Sequence, residues 1–451
     1  MDLKICFLSA SLAVSAQVAV ATPSVEDVSL SQAPDSCLVT VSYTLGSEPA
    51  IVTFDIQTNR TGTSTFSDAD WVSVGEPTLT NAFGDVNCFV PSGARRIFWR
   101  ADDTWEGNLV AQGAARAVVK AWSTNTPPDY LVVDLRRDSD RRYSPEPRVR
   151  YFTSTNALPY GGIASDAYRN EYIAMRRIPS QGVKWCMGSA ETEVVRASNE
   201  TQHYVTFTNA DFYMAVFPLT RGQVLNFGTL ATGDPYGLID VKLSSGTWLY
   251  QYIACYGTTN EAPVCVPSCK VARGGTEAGV DWPGTGHAVS ADSVCGLMRE
   301  RTGVDFDLPT DAQWEFAYRA GTSSAYHDGS TPLAAQDYAG VRDIGWIDSN
   351  SKIDGNCYLR RVGTKKPNAW GLYDMSGSVF EWCLDYYTST MSADPIVEPT
   401  GPISGTERIV RGGCYRYAYS YARAATRTKS DSSTQQSSGV RLVCPVTLKW
   451  P

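Results

Sequence analysis

The sequence predicts two folds in one chain: an all-β sandwich, then an α+β domain poor in regular structure. Three observations carry this. Short strand-like runs with turn punctuation recur between residues 22 and 135. From about Tyr172 the texture changes to short helices set among long loops. Between the two, residues 136–171 read as a charged, proline-bearing linker. The chain has 451 residues, 43% of them hydrophobic and 19% charged, which suits real cores rather than disorder.

Before the first strand, an apolar run from Ile5 to Val20 follows Lys4, and Ala19-Val-Ala21 forms a small-x-small site. These are the three regions of a secretory signal peptide. Serines dilute the run and it falls short of the roughly 20 residues needed to span, so a membrane anchor is the weaker reading. Cleavage after Ala21 and a secreted, periplasmic or cell-surface product are expected, with no membrane span.

The sandwich rests on runs at 25–30, 38–44, 50–57, 96–100, 117–122 and 130–135. Ile51-Val-Thr-Phe-Asp-Ile56 alternates with period two, and Gly46, Pro49, Gly62, Gly84 and Gly93 fall between runs. Such spacing predicts an immunoglobulin- or fibronectin-III-like architecture. Nothing in this unit forms a catalytic constellation. The following run Arg136–Arg142 mixes charges and reads as a solvated loop.

In the second domain, Thr220-x-x-Gln223 and Thr310-x-x-Gln313 are capping boxes. The second opens a helix with Trp314, Ala317 and Tyr318 on one face and Gly321 at its close. Ser290 is expected to cap a third helix carrying Val294, Leu297 and Met298.

Twelve cysteines include Cys6 in the leader, so eleven remain after export. Cys37 with Cys88 is the pairing expected in the first domain, where no other mature cysteine falls. Cys265-x3-Cys269 has a zinc-like spacing without flanking histidine, which favours a disulfide or buried thiols. Net charge is −8, which argues against nucleic acid as a partner. Only His203, His287 and His327 are present, and no nucleophile–base order stands out. Asp374, Glu381 and Asp385 could supply an acidic pair.

The stretch Arg411-Gly-Gly-Cys-Tyr-Arg-Tyr-Ala-Tyr-Ser-Tyr421 is the candidate site. If extended, period two would place Tyr415, Tyr417, Tyr419 and Tyr421 on one face. Residues 187–443 resemble the formylglycine-generating enzymes, also called sulfatase-modifying factors. The resemblance is carried in order by Met187–Ser189 with Val205–Phe207, Phe217–Phe227, Val289–Cys295, Leu308–Ala317, Lys366–Trp382, and Arg411–Tyr415 with Gly439–Leu442.

The resemblance implies a C-type-lectin-like fold for residues 172–451. It also implies oxidation of a sulfatase cysteine with O2 and a copper ion on two cysteines. Here the first of those cysteines falls at Tyr417, and no second one appears before Arg427. Copper prefers soft thiolates, so this sequence argues against it. Cys414 remains as a single candidate catalytic thiol, with Cys383 as the one that could approach it. Tyr415, Tyr417, Tyr419 and Arg427 are candidate binding residues. The family's calcium loop maps to Ser378 and Glu381, with serine where the family has asparagine. Three readings follow: a binding module for glycan or peptide, a formylglycine-generating oxidase with an altered site, and a structural surface protein.

Overall fold

The computed structural model describes residues 22–447, apart from 47, 60–66, 106–109, 111–114, 143, 145, 231–238, 245–247, 252–259, 275–288, 335–336, 338, 403 and 432–436. The expected leader, Cys255 and His287 lie outside the described residues.

The N-terminal unit is built on alternation. Leu38–Leu45 buries every second residue, so Val39, Val41, Tyr43 and Leu45 face one core. It lies between Val25–Gln32 and Gly93–Arg100 in an antiparallel sheet that ends at Phe83–Gly84. A second sheet centres on Ala50–Asn59, paired with Trp71–Ser73, Phe89–Val90 and Ala115–Trp122. One apolar core draws on both sheets, with Ile97 and Trp99 from the first and Val52, Ile56 and Val90 from the second. Two sheets sharing one core is a sandwich. Cys37 precedes a strand of the first sheet and Cys88 a strand of the second. The ten described cysteines are all free thiols, so the expected Cys37–Cys88 bridge is not formed.

The second domain begins earlier than its helices suggest. Tyr130–Asp134 is buried at every position and pairs with both Val149–Phe152 and Tyr172–Ile178. Phe212–Ala215 and Val443–Pro445 complete a five-stranded sheet. The strand expected to close the sandwich and part of the expected linker therefore belong to this sheet. A strand buried on both faces shows no alternation, which hides its allegiance in the sequence. The charged run after it folds back, and Arg136 and Arg141 both bond the buried Asp134 at 2.8 Å. The two units also touch directly. Ile51 packs into the second core, and the Tyr151 N–H donates to the Asn87 carbonyl at 2.7 Å.

Both capping boxes form. Thr220 accepts from the Gln223 N–H, and Thr310 from the Gln313 N–H at the start of the helix Asp311–Arg319. That helix ends on Ala320 in the left-handed region, at φ 44°, one residue before Gly321. The third helix, Val294–Thr302, is capped by Ser293 rather than Ser290, because the Ser293 hydroxyl is the one that accepts the Gly296 N–H. A second sheet of this domain orders Thr428–Asp431, Glu407–Arg411, Phe380–Tyr386 and Ser438–Gly439. The candidate stretch leaves the end of Glu407–Arg411. Among the described residues no helix is long and apolar enough to cross a membrane.

Candidate functional site

The double glycine fixes the path of the candidate stretch. Gly412 has φ +85°, and a Cβ there would meet the Met375 carbonyl at 2.9 Å and the Trp314 ring at 3.1 Å. Gly413 has φ +72°, and a Cβ there would meet the Tyr421 backbone at 2.9 Å. Only glycine fits two successive left-handed positions in such close quarters. The chain then turns rather than extending. Tyr417 N–H donates to the Cys414 carbonyl at 3.0 Å, and Tyr419–Ala422 is a 3-10 turn. The Tyr415 N–H is taken by Ser378, its carbonyl by the Ser351 hydroxyl, and the Tyr417 carbonyl by the Asp348 N–H.

The four tyrosines therefore do not share a face. Tyr415 and Tyr419 are buried, at 1% and 4% exposure, while Tyr417 and Tyr421 reach solvent at 38% and 36%. The outward pair meets edge-to-face at 5.0 Å, and both rings stand edge-on to Phe380, at 5.1 and 6.2 Å. Tyr421 and Phe380 thus join Tyr417, and Tyr415 and Tyr419 leave the surface. A shared face would need a strand, and the two glycines impose a turn there instead.

Arg427 is also turned inward. Its guanidinium bonds Asp311 at 2.8 Å and the Asn199 and Thr388 carbonyls. It belongs to a buried frame in which Arg411 joins Asp311 and Glu315, and Arg423 joins Glu193 and Glu200.

Cys414 is fully buried. Burial pushes its thiol up to about 12, against the lowering effect of hydrogen bonds from the Arg416 backbone and Ser437. At neutral pH the thiolate, which is the nucleophile and the metal ligand, is scarce. Cys383 occupies another neighbourhood, beside Asp311, Arg411 and Asp385, where burial holds its thiol well above the ordinary range. The N–H of Tyr415, the residue after Cys414, donates to the Ser378 carbonyl, while Cys383 follows Glu381 and Trp382, which pair with Arg411 and Val410 on the strand before the double glycine.

The sequence of this domain matches the family described as "Sulfatase-modifying factor enzyme 1-like domain" over residues 180–446, more than half of the chain. The chain belongs to this family. It is 33% identical over 140 residues to a formylglycine-generating enzyme of Mus musculus, covering 30% of this chain and 38% of that protein. It is 34% identical over 137 residues to one of Streptomyces coelicolor, covering 29% and 43%. A serine/threonine-protein kinase pkn1 of Chlamydia pneumoniae is 33% identical over 130 residues, covering 28% of this chain and 18% of that protein. The chain thus spans about two fifths of the formylglycine-generating enzymes it matches. Among solved structures, Treponema denticola variable protein 1 aligns with TM-score 0.42 and 20% identity, over 61% of this chain and 95% of that one. PvdO from Pseudomonas aeruginosa aligns with TM-score 0.43 and 19% identity, over 60% and 94%.

The metals that this sulfatase-modifying-factor family implies can be tested against the side chains present. For copper, the position of the family's first cysteine is held by the outward phenol of Tyr417, and the thiol that interacts with Cys414 is Cys357, which comes from the short strand Asn356–Cys357 rather than from the candidate stretch. The residues do not fit the ion. For calcium, Glu381 accepts the Arg441 guanidinium at 2.7 and 2.9 Å on its two oxygens and the Trp314 indole N–H at 2.6 Å. A guanidinium stands where a cation would bind. Ser378 contributes one buried hydroxyl without a hydrogen-bond partner. This pair does not fit calcium either. Among the described residues no group of three or more His, Cys, Asp and Glu side chains could hold a metal.

The other sequence candidates are dispersed. Asp374 accepts the Gly363 N–H at 2.6 Å, and burial raises its carboxyl to about 6. His327 is buried edge-on to Tyr318 at 5.3 Å, and burial lowers its imidazole to about 4, so it stays neutral. Asp374, Glu381 and Asp385 each bond a different group rather than one another.

Proposed function

We propose that this chain is an exported, non-catalytic member of the sulfatase-modifying-factor family that binds a glycan or peptide through Tyr417 and Tyr421. The single observation behind this reading is the split of the tyrosine run. Tyr417, at the position of the family's first cysteine, forms an outward aromatic cluster with Tyr421 on Phe380, while Cys414 is closed off as a protonated thiol. Aromatic rings of this kind bring large contact area at low entropic cost. They also suit a ligand that carries its own polar groups.

The test is a glycan and peptide array with the full chain and with Tyr417→Ala and Tyr421→Ala. A ligand whose affinity drops about tenfold or more in both variants is the expected result. No ligand, or one indifferent to both changes, sinks the reading. The competing reading takes its support from the similarity to formylglycine-generating enzymes. It predicts conversion of a Cys-x-Pro-x-Arg peptide to formylglycine with copper and O2. Conversion that disappears in Cys414→Ser would establish that reading instead.

A further inference from the structure

A recess of about 390 Å³ lies where the two units meet, a size typical of ligand clefts. Its floor is the outer face of the sandwich's second sheet. Alternation along Ala50–Asn59 sends Val52 and Ile56 into the sandwich core, and Thr53 and Asp55 to the opposite face. The paired strand Ala115–Trp122 sets Lys120 opposite Thr53 and Val118 opposite Asp55. Phe152, Thr153 and Ala157 of the family domain wall the recess together with Glu76 and Leu79 of the sandwich. Neither unit forms it alone.

Its polar groups fall into two sets. Glu76 and Trp122 are committed to the frame. The Glu76 carboxylate oxygens accept the Thr153 and Ser154 hydroxyls, and the Trp122 indole N–H donates to the Thr53 hydroxyl at 2.8 Å. The other set is open. Lys120 is exposed, lies 3.6 Å from the centroid of the Trp122 ring, and forms no ion pair among the described residues. Asp55 accepts the Ser73 hydroxyl at 2.7 Å on one oxygen, while the other has only the Gln57 amide at 3.5 Å, the far limit of a hydrogen bond. Asn87 sits at φ 55°, with its backbone bonded to Val52 and Tyr151 and its carboxamide without a partner among the described residues. Lys120 and Asp55 stand diagonally across the strand pair, roughly 7 Å apart. They are of opposite charge and yet unpaired, which leaves room between them for a group that accepts from one and donates to the other.

The recess selects against a charged occupant. Two carboxylates, Asp55 and Glu76, line it beside the one ammonium, which disfavours an anion. A cation finds the Trp122 face already taken by Lys120. A hydroxyl both donates and accepts, so neighbouring hydroxyls can satisfy an ammonium, a carboxylate and a carboxamide together. Leu79, Val118 and Phe152 offer apolar surface to the C–H face of a sugar ring. We propose that the recess binds a neutral saccharide unit, its hydroxyls on Lys120, Asp55 and Asn87 and its ring against Leu79, Val118 and Phe152. The recess is separate from the Tyr417 surface, so either proposal can fail alone.

The test is saturation-transfer NMR on the full chain with glucose, mannose, galactose and N-acetylglucosamine, and with glucosamine and glucuronate as charged counterparts. Saturable binding of a neutral sugar, tighter than that of either charged one, is expected. Asn87→Gly keeps the left-handed backbone and removes the carboxamide. Lys120→Met keeps the alkyl chain and removes the ammonium. Val118 is 40% exposed, so Val118→Trp fills the floor without touching a core. Each variant should melt like the parent and bind the sugar about tenfold more weakly. Tyr417→Ala should leave binding unchanged. No saturable binding of any neutral sugar, tighter binding of a charged one, or binding indifferent to the three variants overturns the proposal. Sugar binding lost in Tyr417→Ala but kept in Asn87→Gly and Lys120→Met overturns it too, and supports the tyrosine surface instead.

Discussion

The N-terminal sandwich and the family domain are stabilised by different means. The sandwich buries an alternating apolar core, and its one ion pair among the described residues, Arg116 with Asp68, is exposed on both sides at 39% and 95%. Such a pair contributes little. The family domain has an apolar core as well, but it is threaded by arginines with no access to water. Arg411, Arg423 and Arg441 rank among its largest fully buried side chains, each matched to carboxylates. A loop-rich fold gives backbone and side chains few repeating partners, and here directed charge pairs fix which segments meet. Those pairs are the family motifs. Arg411 of the Arg-Gly-Gly stretch meets Asp311 and Glu315 of the helix motif, and Arg441 of the C-terminal motif meets Glu381. The residues that carry the resemblance are therefore the frame. They report the fold without reporting chemistry.

The largest effect should come from breaking that frame. Arg441→Met leaves Glu381 charged and buried with only the Trp314 N–H, which costs about 3–5 kcal/mol. Urea unfolding of the family domain should show it, and Glu381→Gln added to Arg441→Met should recover part of the loss. A variant that tolerates Arg441→Met unchanged would show that the pair is incidental.

A second difference between the regions is titration inside the family domain. Burial, followed by the negative charge of Asp311, raises the Asp385 carboxyl to about 7 from an ordinary 3.8. Asp311 itself is held low by Arg411 and Arg427 despite its burial. Between about pH 4 and 7 the native state keeps a proton on Asp385 that the unfolded chain has released. This contribution is complete below pH 4 and lost as pH rises through 7. Asp385→Asn has no such loss and keeps an acceptor for the Asp311 N–H. The melting temperature of the variant should therefore gain on the parent steadily from pH 4 to 7. A constant gap would overturn the assignment. The sandwich offers a smaller, pH-independent contrast. Ile97→Val in its core should cost about 1 kcal/mol at either pH.

What could be read beforehand follows the same division. Leu38–Leu45 announced itself because one face of the strand is buried and alternation survives in sequence, whereas Ile51–Thr53 is buried on both faces, with Ile51 in the second core and Val52 in the first. Thr220 and Thr310 were legible because a capping box is local. Tyr130–Asp134 was not, since full burial erases the period. Glu381 read as a calcium-loop residue, and its partner Arg441, sixty residues away, left no local signal. His203 gave no signal beyond being a lone histidine. Only the fold shows that one nitrogen is matched and the other is not.

The tyrosine run carries the comparison down to single side chains, because buried and exposed members alternate within seven residues. Tyr415 and Tyr419 are packed inside, and truncating either to alanine should cost about 3–5 kcal/mol, the range for large aromatic deletions. Tyr417 and Tyr421 contact Phe380 only at its edge and face water. Tyr417→Ala and Tyr421→Ala should each cost no more than about 0.5–1 kcal/mol, the value of an aromatic pair contact at a surface. Thermal melts of the four variants would measure both classes. If the outward pair proved as costly as the inward pair, the cluster would be part of the fold and its availability to a ligand would fall with it. If the outward pair melts like the parent, two large aromatic rings are held at the surface with little structural return, which is the condition a binding surface requires.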